Sequence, residues 1–191
     1  MSGRLIVFSN HLSGLHTPDR SGLSVVFDFR SVHPSDGATL WRLVQAAGTL
    51  ELNSPYLYLL MATDFGGTCL LAQHQGQSAG AVIGYRPPRE PEAAFVWQVG
   101  VLPDYCGQGL GLQMLTAWRQ LPANRDARWI TATVAPDNCA SRALFGALAR
   151  QLGAPLAVQP HFTPDQFPID HPAEPLLRIG PIPRDESAHA R

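Results

Sequence analysis

The stretch whose residue types and spacing suit chemistry is Cys106-Gly-Gln-Gly-Leu-Gly111. Its glycines recur at every second position (Gly107, Gly109, Gly111), directly after the apolar run Phe95–Leu102 and Pro103. Glycine reaches backbone conformations closed to other residues and lets N–H groups approach a ligand closely. Here those groups converge where a helix pattern begins, and the positive end of that helix dipole points the same way. The expectation is a phosphate cradle made of backbone, with no Lys required. The glycines alone also fit a loop that binds nothing. A dinucleotide loop fits poorly, because the spacing is G-x-G-x-G and the loop lies mid-chain. A P-loop fails, since no Gly-Lys-Ser/Thr follows. Cys106 raises the idea of covalent catalysis, but no His stands near it in sequence, and direct transfer is expected instead.

The elements that must position this loop are readable. Strands are expected at Leu23–Arg30, at Thr68–Gln73 and Ala79–Tyr85 (a hairpin turning over His74–Gln77), at Ala93–Leu102 and at Arg128–Val134. A helix opens after Pro34 with Ser35 or Asp36 as cap, carries the stripe Leu40, Leu43, Val44, Ala47, and ends at Gly48. A second starts near Ser54-Pro55. A third follows the glycine loop, striped by Leu110, Met114, Ala117 and Leu121. Asp137-Asn138 caps a fourth, striped by Leu144, Leu148 and Leu152 and closed by Gly153. Apolar runs at Pro155–Val158 and Leu176–Ile179 flank a Pro-rich loop holding His161 and Phe162. The expected organisation is a flexible extension over 1–22, with His11 and His16, one domain over 23–181, and a frayed tail over 182–191.

Composition narrows the function. The chain has 191 residues, 45% of them hydrophobic, which suits one globular domain. The 14 basic residues, all Arg, balance 15 acidic ones, so no basic face for nucleic acid is expected. No apolar run nears the ~20 residues of a membrane helix. Three cysteines without close pairing and His residues without ligand spacing point to neither disulfides nor a metal. With no signal-peptide pattern, a cytoplasmic location is the expectation.

Val101-Leu-Pro103, the loop Cys106–Gly111 and the helix after it resemble the coenzyme A-binding motif of the GNAT N-acetyltransferases. Gly109 and Gly111 match that motif, whereas Cys106 stands where Arg or Gln is usual. A narrower resemblance runs in order through Gly48-Thr-Leu-Glu-Leu-Asn-Ser-Pro-Tyr56, Gly84-Tyr-Arg-Pro-Pro88, Phe95-Val-Trp-Gln-Val99, Asn138-x-Ala-Ser-Arg-Ala-Leu-Phe145 and Leu152-Gly-Ala-Pro155. These segments look like the L-2,4-diaminobutyrate acetyltransferases of ectoine synthesis. The resemblance implies an α/β fold with a splayed mixed sheet flanked by helices, acetyl-CoA as co-substrate, a small amine as acceptor, and a homodimer. It implies that Gly107, Gln108, Gly109, Leu110 and Gly111, with Asn138, hold the coenzyme, and that backbone N–H groups of Val99 and Val101 lie beside it. It implies acceptor contacts from Glu51, Asn53, Tyr56, Trp97, Thr133, His161 and Phe162, with Glu51, Trp97 and His161 closest to catalysis. By themselves Glu51 also fits a helix-start carboxylate, Trp97 a buried aromatic, Asn53 turn chemistry, Thr133 a structural position and His161 a surface side chain. Glu51 replaces the family's usual Asp. Phe145 replaces a Tyr that in many members protonates the leaving thiolate, so another group or water must do so, or the thiolate leaves as the anion. The rival readings are the same fold acting on another small amine or diamine, an acyl-CoA-binding sensor without turnover, and a purely structural domain.

Overall fold

A computed structural model describes residues 25–48 and 50–183. The expected extension over 1–22, with His11 and His16, lies outside the described residues, as does the tail beyond residue 183. The elements, in chain order, are β1 (Asp28–Ser31), α1 (Gly37–Ala47), α2 (Pro55–Thr63), β2 (Leu70–His74), β3 (Gln77–Tyr85) and β4 (Ala93–Val101). They continue with α3 (Leu110–Gln120), β5 (Trp129–Thr133), α4 (Cys139–Gln151), β6 (Leu156–Phe162) and β7 (Glu174–Ile179). One sheet takes all seven strands in the order β1-β2-β3-β4-β5-β7-β6.

Alternation along the strands sorts side chains onto two faces. Leu71, Ala81 and Ile83 join Leu40, Leu43, Val44, Tyr58 and Met61 of α1 and α2 on one face. Leu70, Val82, Val96 and Val99 join Met114, Leu115 and Trp118 of α3 and Phe145 and Leu148 of α4 on the other. Trp118 is fully buried and its indole N–H donates to the Thr68 carbonyl at 2.6 Å. The core stripe of α3 is therefore Leu110, Met114, Leu115 and Trp118; the expected Ala117 and Leu121 are only half-buried. In α4 the fully buried positions are Ser141, Phe145, Leu148 and Ala149, with Leu144 and Leu152 at the margin.

The helix ends follow local chemistry. Gly48 closes α1 at φ 69°, the left-handed conformation glycine adopts without strain. Asn138 caps α4 by accepting from the Ser141 N–H at 3.0 Å. The expected side-chain cap of α1 is not made. Asp36 instead accepts from Arg30 at 2.6 and 3.0 Å and from the His33 N–H at 2.7 Å. Those bonds hold its carboxyl below the usual range, the Arg30 bond first. The β2–β3 hairpin turns on Gln75 and Gly76 alone, both at positive φ, as a two-residue turn requires. Among the described residues the first expected strand covers Asp28–Ser31, and Phe27 just before it is buried. Ile182, one residue past the expected domain, is buried and its N–H bonds the Arg128 carbonyl. No helix among the described residues is long and apolar enough to cross a membrane.

Two irregularities in the sheet make the site. The β4–β5 pair is the parallel one, and it lasts for three residue pairs, Ala93–Phe95 against Trp129–Thr131. Beyond Phe95 the strands part, so Trp97–Val101 has β3 on one side and an open edge on the other. The second irregularity is a bulge in β4. Ile83 pairs with Gln98 and Gly84 with Val96, leaving Trp97 without a partner on β3. The extra residue turns Trp97 and Gln98 toward the α1/α2 face together.

Candidate active site

The glycine loop leads from a short 3-10 turn (Pro103–Tyr105) into α3. Gly107 and Gly109 stand at φ 74° and 73°, and a Cβ on either would meet nothing within 4 Å. The positive φ supplies the reason for glycine, and the space beside each Cβ position is free of protein atoms. Gly109 is the residue before α3, so no side chain caps the first-turn N–H groups. Gly111 is ordinary helix, and a Cβ there would lie 3.6 Å from Leu144. Gln108 is exposed and donates to the Asp104 carbonyl at 3.1 Å; Leu110 is a core residue. The loop therefore fits a phosphate group through backbone donors. Cys106 donates to the Leu102 carbonyl at 3.2 Å, and burial, then the Asp104 charge, push its thiol up. A protonated thiol tied to a carbonyl is no nucleophile. Asn138 serves α4 as its cap.

Where the sheet forks, a cleft of about 380 Å³ opens. Phe95 and Trp97 of β4 and Thr131 and Thr133 of β5 form its central walls. Tyr85 and the β3–β4 loop, through Pro87, Arg89 and Glu90, form one side. His161, Phe162, Phe167, Glu174 and Leu176 form the other. Val99 and Val101, buried on the opposite face, continue the open edge of β4 beyond the fork. The fork thus brings together Trp97, Thr133, His161 and Phe162.

His161 and Phe162 are not in a loop, as their surrounding prolines suggest. They end β6, where a bulge between Gln159 and Phe162 takes up Pro160. Proline lacks the N–H a ladder needs, so a bulged edge strand is where it fits. Glu51 and Asn53 lie on the α1–α2 loop outside the cleft lining, yet tied to its wall. Gln98, buried beside Trp97, donates to the Glu51 carbonyl at 2.9 Å and accepts from the Tyr58 hydroxyl at 3.2 Å. That hydroxyl accepts from the Asn53 N–H, and the Asn53 side chain donates to the Glu51 carbonyl at 3.4 Å. Tyr56 does not reach the cleft and is 68% exposed; Tyr58, fully buried, is the tyrosine that positions this loop.

Sequence reasoning missed the buried carboxylate. Glu174, 3% exposed, starts β7 and lines the cleft. His171, also buried, places Nε2 at 3.8 Å from the Glu174 carboxylate. Its Nδ1 lies 2.7 Å from the Pro172 carbonyl, which can only accept, so Nδ1 carries a proton. Nε2 is left facing the Glu174 carboxylate. Phe167 stacks on His171 at 4.1 Å, and the rings of His161 and Phe162 continue the cover. The signal was His171-x-x-Glu174, hidden in a Pro-rich segment.

Comparison with known proteins follows this geometry. Residues 38–149 match the Acetyltransferase (GNAT) family, more than half of the chain. The chain belongs to that family. It is 39% identical over 167 residues to the L-2,4-diaminobutyric acid acetyltransferase of Nocardia farcinica, covering 87% of this chain and 85% of that one. It is 39% identical over 160 residues to that of Marinococcus halophilus, covering 83% and 91%. Among solved structures, diaminobutyrate acetyltransferase EctA from Paenibacillus lautus, in complex with its substrate L-2,4-diaminobutyric acid and coenzyme A, superposes with a TM-score of 0.78. It is 38% identical, and the match covers 84% of this chain and 98% of that one. This GNAT acetyltransferase thus shares both sheet and sequence with diaminobutyrate acetyltransferases.

Proposed function

We propose that this chain transfers acetyl from acetyl-CoA to the 4-amino group of L-2,4-diaminobutyrate, the acetylation step of ectoine synthesis, by direct attack in a ternary complex. The observation that carries the reading is the forked sheet, with a backbone anion cradle beyond one end of its open edge and a buried carboxylate lining the fork. Bound acetyl-CoA supplies an acetyl group activated as a thioester. Gly107, Gly109 and the first turn of α3 hold its pyrophosphate through N–H groups. The edge of β4 at Val99 and Val101 runs beside its pantetheine, where a backbone N–H polarises the carbonyl.

The acceptor enters the cleft as a dication with one carboxylate. A primary amine has a pKa of about 10, so the site must take a proton before attack. Glu174, with His171 beside it, and Glu51 supply negative charge for the two ammonium groups. The Trp97 face covers the alkyl chain, and Thr133 and His161 offer polar contacts beside the reacting amine. Phe145 is buried in the core and gives no proton to the departing thiolate. Tyr85, whose phenol burial pushes up, stays protonated on the cleft wall.

The reading includes a homodimer in the cytoplasm. Support for a second copy comes from β6, an edge strand exposed at every position, with Val158 49% exposed.

Release of coenzyme A thiol, measured with diaminobutyrate, ornithine, lysine and no amine, tests the function. Selective release with diaminobutyrate is expected. Equal release with all three amines would replace the substrate, and binding of acetyl-CoA without release would replace an enzyme by a sensor.

A further inference from the structure

We propose that Arg89 anchors the α-carboxylate of the acceptor and makes this site prefer an amino acid to a plain diamine; the proposal rests on the reading of the chain as a diaminobutyrate acetyltransferase. The β3–β4 loop is braced on both sides of Arg89. Arg86 donates to the Pro91 carbonyl across the loop and pairs with Asp126 at 2.7 Å. Glu90 pairs with Arg178 at 2.5 Å, and Arg178 itself stacks 4.0 Å over the Trp129 ring. Arg86 and Arg178 are therefore committed, and the Glu90 charge is met. Arg89, on the turn closed by the Glu90 N–H and the Pro87 carbonyl, lines the cleft and takes part in no ion pair among the described residues.

The position suits the substrate's polarity. The loop enters β4 at Ala93, while the glycine cradle follows β4 after Val101. Arg89 thus stands at the end of the cleft remote from the coenzyme. A substrate that points one terminal amine at the thioester directs its α-carboxylate the other way. There a planar guanidinium can take both oxygens.

The test compares L-2,4-diaminobutyrate with 1,3-diaminopropane, which lacks only the carboxylate, in wild type, Arg89→Ala and Arg89→Lys. Loss of a charge-assisted contact should lower kcat/KM for diaminobutyrate roughly 10- to 100-fold in Arg89→Ala. The diaminopropane value should change less than about twofold, and Lys should restore part of the loss as a point charge. Equal losses for both substrates, or no loss for either, would overturn the assignment. Equal use of both by the wild type would overturn it too while leaving the acetyltransferase reading intact. Absence of thiol release with either amine would instead remove the reading on which it rests.

Discussion

Gly109→Ala separates the strain of the glycine loop from its ligand contact, provided it is read against Gly76→Ala. The two glycines are matched. They stand at φ 73° and 77°, and a Cβ on either meets no protein atom within 4 Å. An L side chain held in that conformation costs roughly 1–2 kcal/mol. In a domain of this size each kcal/mol moves Tm by about 2–4 °C, so both variants should melt about 2–8 °C lower. Only Gly109 borders the cradle; Gly76 is the tip of the β2–β3 hairpin. If the loop holds the pyrophosphate, a methyl group on Gly109, or a loop that shifts to relieve φ, should break at least one bond to a charged phosphate. Such a bond contributes about 1.5–3 kcal/mol, which is roughly a 10- to 150-fold loss of affinity for acetyl-CoA. Calorimetric titration with coenzyme A and a thermal melt of each variant give the two numbers. Equal affinities in the two variants would refute the cradle, and unchanged melting in both would refute the strain argument.

Other outcomes follow from single contacts. Glu174→Gln keeps the shape but removes the buried charge, and should raise KM for diaminobutyrate at least roughly tenfold with acetyl-CoA binding unaffected; unchanged kinetics would take Glu174 out of the site. Gly84→Ala would place a Cβ 2.5 Å from the Phe95 carbonyl and 2.9 Å from the Trp118 ring. Crowding there should destabilise the fold by about 1–3 kcal/mol in urea melts, and a wild-type midpoint would contradict that packing. Asp36 has its carboxyl held below the ordinary 3.8 by Arg30. Its stabilising effect is complete above that value and is lost as pH falls through the lowered one. Wild type should out-melt Asp36→Asn at neutral pH, and the gap should shrink as pH falls below the ordinary carboxylate range; a gap independent of pH would show that the charge is not responsible. Cys106→Ala should retain most of kcat, because its thiol is protonated and bonded to Leu102, and total loss would reopen covalent catalysis.

Much of this was legible because local chemistry decided it. The glycine ladder after an apolar strand, Asn138 before α4 and Gly48 after α1 need no distant partner to be read, and the order of elements follows the expected one throughout. What stayed hidden depends on pairing. The bulge that turns Trp97 and Gln98 to one face exists only in the register of β4 with β3. His161 and Phe162 read as loop residues because Pro160 and Pro164 flank them, and only β7 as a partner makes them strand. Glu174 carries no local sign of burial; it opens β7, and its burial depends on that strand pairing with β5 and β6. Tyr56 and Tyr58 are two residues apart in a helix apolar on nearly every side, and sequence periodicity gave no means of choosing the buried one.

The most direct measurement is carbon-13 NMR of the product made from diaminobutyrate and acetyl-CoA labelled at the acetyl carbonyl. Transfer to the 4-amino group predicts a long-range correlation from the labelled carbonyl to the C4 methylene protons, with the C2 proton uncoupled to it. A correlation to the C2 proton would contradict the proposed orientation in the cleft, and absence of any labelled amide would contradict the assigned reaction itself.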